Sequence, residues 1–358
     1  MAKMQQARGF VPGDFPWLPP IQPPETAFRN KAKMVVTGTV DHPVLGLTTG
    51  DLTDCPLYPP ALAATFEPIR QFITRAAIVP YDLTPAPGRV SPQAAAGRGE
   101  LKYVIVTLSP DDELMVRLVV RSQESVGRVR KHLPWLASHL PGLAVFSINI
   151  QPEHKAILEG DREIILTDRS TLPMRLEGGT LHLRPQSFFQ TNTIIAQALY
   201  GQARQWIDDV APASVWDLYC GVGGFALLAA AAPGRQVTGV EISREAIASA
   251  QQTVADLPQP GQVTFIADDA TAYALAASPQ QAPDLVIVNP PRRGIGPQLC
   301  GWLEQTATVT HVLYSSCNAQ SLAADLALMP SLRPRLARLL DMFPHTPHYE
   351  TLILVERM

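Results

Sequence analysis

The sequence predicts a smaller α+β domain over 27–180 followed by a Rossmann-like α/β domain over 181–358, with an extended proline-rich lead-in over 1–26. Three observations carry that reading. At 358 residues the chain is long enough for two domains of ordinary size. From about Gln190 onward strand-like and helix-like segments alternate, the pattern of a parallel sheet covered on both faces. The last two strand-like segments are joined by only "PHTPHY", too short for a crossover, so they pair antiparallel.

Taken in order, "FPWLPPIQPPE" (15–25) excludes a regular helix and a central strand, because proline lacks the backbone donor and fixes its own φ. Strands are expected at "AKMVVTGTV", "KYVIVTLS", "LMVRLVVRS", "LAVFSINIQ" and "REIILTD", and helices at "PALAATFEPIRQFITRA" and "SVGRVRKHLPWLASHL". The Pro-, Gly- and Ala-rich stretch 79–100 reads as a long loop. In the second half a helix at "TNTIIAQALYGQARQWIDDV" precedes strands at "SVWDLYC", "QVTGVEI", "VTFIAD", "DLVIVNP" and "HVLYSS". The antiparallel pair "RLARLLDMF" and "ETLILVER" closes the chain.

Composition narrows the function. With 46% hydrophobic and 17% charged residues and no apolar run of spanning length, the chain reads as globular and not membrane-bound; with no signal-peptide core in "MAKMQQARGF", a cytoplasmic location is expected. Four scattered cysteines (Cys55, Cys220, Cys300, Cys317) suggest neither a disulfide framework nor a zinc site. The net charge of -3 hides an asymmetry: all six lysines lie between Lys3 and Lys155, so the front half is the better surface for a polyanion.

The chemistry-bearing residues fall at the ends of predicted parallel strands, where ligands bind in such sheets. "DLYCGVGGF" leaves a strand, crosses Gly221, Gly223 and Gly224 and enters a helix, which fits a cofactor loop and, equally, an ordinary glycine-rich βα turn. Glu241 ends the next strand, where a carboxylate can accept from both ribose hydroxyls or simply be solvated. Together these also fit a dinucleotide-dependent oxidoreductase. The discriminator is Asn289-Pro290-Pro291, a side-chain amide and rigid carbonyls at the crevice; with Arg292 in place of a base-stacking aromatic, amino-group methylation is disfavoured.

Cys317, flanked by "SSCN" at the end of the fifth strand, reads as a nucleophile more readily than as a buried small hydrophobe. A methyltransferase needs such a thiol when its target is carbon 5 of a pyrimidine: thiolate addition at carbon 6 makes carbon 5 nucleophilic. A base must then remove the carbon-5 proton. Glu350, which opens the last strand after His345 and His348, is the candidate, a solvated edge glutamate being the alternative.

"RPQSFFQTN", "DLYCGVGGF", "VNPPRRGIG", "YSSCNAQ" and "DMFPHTPHYE", in this order, resemble the RNA uracil-C5 methyltransferases, and the likeness covers nearly everything after residue 26. The resemblance implies an S-adenosylmethionine-dependent methyltransferase domain acting on RNA, with 23S ribosomal RNA as partner and no second chain required, so a monomer is expected. It implies Cys317 as nucleophile and Glu350 as base. It further implies that Gln190, Tyr219, Gly221, Glu241, Asp269 and Asn289 serve S-adenosylmethionine and that Arg29, Asn30, Lys31, Arg98, Lys102 and Arg292 contact RNA. A transfer-RNA or other ribosomal target, and a non-catalytic RNA-binding derivative, are the alternatives.

One departure stands out. Similar members hold an iron–sulfur cluster with three cysteines near the N-terminus and a fourth in "DCPLYP". Here Cys55 fills the fourth place and no cysteine precedes it, so no cluster and no metal site is expected in this chain. Loss of the cluster and ligands lying upstream of this start are both open readings.

Overall fold

The computed structural model describes residues 2–11, 13–47, 50–82, 98–153, 158–257 and 262–358. Most of the expected loop at 79–100 therefore lies outside the described residues. The chain divides into two compact units, 26–173 and 1–25 with 174–358.

The front unit is built on a seven-stranded sheet whose order is Gly50–Asp51, Pro43–Leu47, Lys31–Gly38, Leu101–Leu108, Leu114–Val120, Leu143–Ile150, Arg162–Ile165. Its long central strands, Leu101–Leu108 and Leu114–Val120, are buried almost throughout, because both faces are covered. Helices Phe66–Arg75 and Val126–His139 supply part of the cover, with Phe66, Ile69, Phe72 and Ile73 of the first and Val129, Leu133 and Leu136 of the second turned into the core.

The catalytic unit is an eight-stranded sheet. Its strands are β1 (Trp17–Ile21), β2 (Ser214–Leu218), β3 (Gln236–Glu241), β4 (Gln262–Ala267), β5 (Leu285–Val288), β6 (His311–Ser316), β7 (Leu332–Leu340) and β8 (Glu350–Arg357). Their spatial order is β1-β7-β8-β6-β5-β2-β3-β4. β2 to β6 pair parallel with their neighbours, whereas β8 lies antiparallel between β6 and β7. The direction of winding reverses at β2, between β3 and β5, so a crevice opens beyond the carboxyl ends of β2 and β5. The helices are α1 (Ala2–Phe10), α2 (Thr193–Val210), α3 (Gly224–Ala229), α4 (Arg244–Ala255), α5 (Ala270–Ala276), α6 (Gly296–Gln305) and α7 (Ala319–Ala327).

The lead-in differs from the expectation of a wholly extended segment. Residues 2–10 form α1, since "AKMQQARGF" contains good helix formers and no proline; the prolines begin afterwards. The proline-rich part is an added edge strand, β1, parallel to β7, a place where missing backbone donors cost little. The lead-in thus belongs to the catalytic unit.

Candidate active site

The cofactor loop follows β2. Tyr219 and Gly221 both adopt left-handed backbone (φ 67 and 54), and the Tyr219 hydroxyl lies 3.4 Å from Thr271 Oγ1. Nothing lies within 4 Å of where a Gly221 side chain would stand, so the loop is open on the crevice side. At Gly224, by contrast, a side chain would run into the Tyr200 hydroxyl of α2, which explains the close helix approach. Glu241, at the end of β3, accepts from the Gly221 N–H at 3.3 Å and from the Ser243 N–H at 2.9 Å. These bonds fix the carboxylate beside the loop while leaving lone pairs for a ligand.

Beneath the loop lies Asp217, fully buried, a residue that sequence reasoning did not single out. Its Oδ2 accepts from the Ala226 N–H at 2.9 Å and so ties β2 to α3, while Oδ1 is buried without a hydrogen-bond partner. Burial chiefly, with the Glu241 charge adding to it, pushes its carboxyl up to about 8.

Asp269 caps α5 by accepting from the Ala272 N–H at 2.8 Å, and is otherwise exposed at the end of β4. Asn289 ends β5, half-buried. The loop after it is clamped by Asp325 of α7, whose carboxylate accepts from the Ile295 N–H (2.9 Å), the Gly296 N–H (3.3 Å) and the Tyr314 hydroxyl (2.7 Å). Asn318 adds a bond to the Arg292 carbonyl at 3.0 Å. Gln190 precedes Asn192, which caps α2 through Ile195 N–H (3.2 Å) and donates to Met342 O (3.2 Å), binding the entry segment to the loop before Glu350.

Cys317 and Glu350 are brought near each other by the pairing of β6 with β8. In the β6–β8 ladder Ser315 opposes Leu352 and Ser316 opposes Thr351, the last pair, so Cys317, which follows β6, and Glu350, which opens β8 33 positions later in the chain, lie at the same end of the ladder. Because side chains alternate, Ser315 and Cys317 share one face with Glu350, whereas Tyr314 turns to the other face to meet Asp325. Glu350 is 4% exposed and accepts from the Ser315 hydroxyl at 2.6 Å. Burial pushes its carboxyl up to about 7 against the pull of that bond. Cys317 is the exposed thiol, whereas Cys220 and Cys300 are buried. Partial burial and the Glu350 charge raise the Cys317 thiol; the Arg292 guanidinium, hydrogen-bonded to it, pulls the other way.

The front-unit cations do not form one accessible set. Lys102 is 7% exposed, with Nζ bonded to the Glu153 carbonyl at 2.6 Å and to Gln151, and Asn30 is 5% exposed. Burial leaves these two residues less surface for a phosphate than the exposed arginines have. Arg29 and Lys31 are half-buried, Arg29 Nε donating to the Lys31 carbonyl at 3.2 Å, and burial lowers the Lys31 amine to about 8. Arg98 and Arg292 are exposed. Cys55 is half-buried against the front core, while the other three thiols belong to the catalytic unit, which does not fit a cluster needing four thiolates together. Among the described residues no group of three or more His, Cys, Asp or Glu could hold a metal ion, and no helix is long and apolar enough to cross a membrane.

A doubly wound sheet with an antiparallel strand inserted next to its last parallel strand, and a glycine loop and acid at the switch point, defines the S-adenosylmethionine-dependent methyltransferase fold. A solved structure of similar architecture is the Pyrococcus abyssi tRNA (uracil-54, C5)-methyltransferase in complex with S-adenosyl-L-homocysteine. It has a TM-score of 0.77 at 22% identity, covering 99% of this chain and 80% of that one. The tRNA (Uracil-5-)-methyltransferase family model matches residues 164–358. Two curated relatives, each a 23S rRNA (uracil(747)-C(5))-methyltransferase RlmC, extend the match. The Halothiobacillus neapolitanus protein is 50% identical over 100% of this chain and 92% of its own length, and the Escherichia coli O157:H7 protein 47% over 96% and 90%. The chain belongs to the RNA uracil-5-methyltransferase family.

Proposed function

We propose that the chain methylates carbon 5 of a uridine in 23S ribosomal RNA, the position-747 uridine, using S-adenosylmethionine, with Cys317 as nucleophile and Glu350 as base. The substrate follows the relatives' named activity. The single observation supporting the mechanism is that an exposed thiol and a buried carboxyl meet at the end of the β6–β8 ladder, close enough for the Glu350 charge to act on the Cys317 thiol.

Gly221, with open space where a side chain would stand, and Glu241, fixed beside it, fit the cofactor; Tyr219, Gln190, Asp269 and Asn289 would complete its cradle. When bound, S-adenosylmethionine supplies an electrophilic methyl group. The Cys317 thiolate adds to carbon 6 of the uracil, displacing the 5,6 double-bond electrons toward carbon 5 and oxygen 4, so that carbon 5 takes the methyl. Glu350 then accepts the carbon-5 proton; the released C–H electrons restore the 5,6 double bond as the carbon–sulfur bond breaks and the thiolate returns to Cys317. A carboxyl near 7 is suited to that task at neutral pH. The uridine must leave its stack to reach the crevice. Exposed Arg98 and Arg292 and half-buried Arg29 and Lys31 are candidates for holding the RNA backbone.

Incubation with 23S RNA containing 5-fluorouridine tests this reading, since fluorine does not leave as a proton. A covalent protein–RNA adduct is expected, lost in Cys317→Ala. No adduct with the intact chain, or an undiminished one with the variant, would overturn it.

A further inference from the structure

We propose that Ser315 is a positioning residue for the reaction, its hydroxyl holding Glu350 Oε1 so that Oε2 is left for the uracil carbon-5 proton. This rests on Glu350 being the base, as proposed above. Ser315 is completely buried near the carboxyl end of β6, "HVLYSS", where a buried hydroxyl is costly unless it is hydrogen-bonded. Its side chain reaches diagonally across the β6–β8 pair to Glu350 Oε1 at 2.6 Å, and Oε2 makes no hydrogen bond among the described residues.

The surroundings make this one bond decisive. Among the described residues no cation pairs with Glu350. The titratable groups that feel its charge are Tyr200 of α2 and Cys317 at the end of β6, both held toward their protonated forms by it, with Asp217 of β2 acting on Tyr200 in the same sense. Arg292, the nearby cation, acts on the Cys317 thiol. The Ser315 hydroxyl is therefore the group that favours the ionised carboxylate and fixes its rotation, and burial works against it. A donor one pleat below the nucleophile, on the same face, also explains why the polar run before Cys317 contains two serines: Ser316 turns away to bond Asn318 O at 2.9 Å.

The test follows single turnovers on transcribed 23S RNA with S-adenosylmethionine, separating adduct formation from release of methylated RNA. Ser315→Ala should leave adduct formation close to wild type and slow release about tenfold at neutral pH. It should move the acid limb of the release profile up by about one unit, the size of one charge-assisted hydrogen bond. Raising the pH should restore release, which loss of structure would not do, and Ser315→Thr, which keeps the hydroxyl, should recover most of it. Glu350→Gln is the reference: it should trap the methylated adduct at every pH. If Glu350→Gln releases product normally, the base assignment fails. If it traps adduct while Ser315→Ala keeps the wild-type release rate and pH profile, the Ser315 inference alone is overturned.

Discussion

A buried carboxyl beneath the cofactor loop makes the stability of this protein depend on pH in an unusual direction. Asp217 is raised from 3.8 to about 8 in the fold, mainly by burial. A group that binds its proton more tightly when folded gives stability that is full below its unfolded value and lost as pH rises through its folded value. Glu350, raised from 4.5 to about 7, acts in the same sense. Melting temperature should therefore fall between about pH 5 and pH 8, and Asp217→Asn should flatten much of that slope in calorimetry. An unchanged slope would refute the assignment. The positions of Cys317, Glu350 and Glu241 at strand ends were legible in the sequence, because the apolar runs that form β6, β8 and β3 show where each strand begins or stops. Asp217 and Ser315 were not, since their roles depend on which face of a strand each side chain takes. The burial of Lys102 was not legible, because a lysine in a motif gives no sign that its ammonium lies over a Tyr81 ring and bonds inward.

At the scale of elements, α1 acts as a brace on the loop that leads into Glu350. Lys3 Nζ bonds Asp341 Oδ1 at 2.6 Å, Phe343 O at 2.7 Å and His348 O at 3.1 Å, so one ammonium joins both ends of the turn before Glu350. Ala7 and Met4 pack with Ala319, Leu339 and Tyr349. Lys3→Ala should destabilise the protein by about 1–3 kcal/mol, the range for a hydrogen bond to a charged group. It should also raise amide hydrogen exchange selectively over 341–349. Exchange unchanged in that loop would show that Lys3 does not hold it. The Asp325 clamp makes a parallel case: Asp325→Ala strands two loop N–H groups and a buried hydroxyl, costing about 3 kcal/mol or more. The parallel strands and the antiparallel closing pair were readable from alternation and loop length, whereas the order of the strands and the edge strand β1 were not. The helix at the N-terminus was missed because the neighbouring prolines dominated a segment whose first residues carry none.

At the scale of the whole molecule, no group of three or more potential metal ligands is found among the described residues. Cys55 packs as a small apolar group against the front core, and Cys55→Ser should leave turnover unchanged and iron content after anaerobic purification the same as wild type. A loss of bound iron in the variant would overturn that. The β6–β8 register has a further consequence. Residues directly opposed on antiparallel strands have Cα atoms about 4.5–5.5 Å apart, within the span that a disulfide bridges. Glu350→Cys should therefore cross-link to Cys317 under mild oxidation, a chemical ruler for the pairing. Such a cross-link would show that the end of the ladder where Cys317 and Glu350 meet stays closed in solution, so that a bound base must come to the pair rather than the pair to the base.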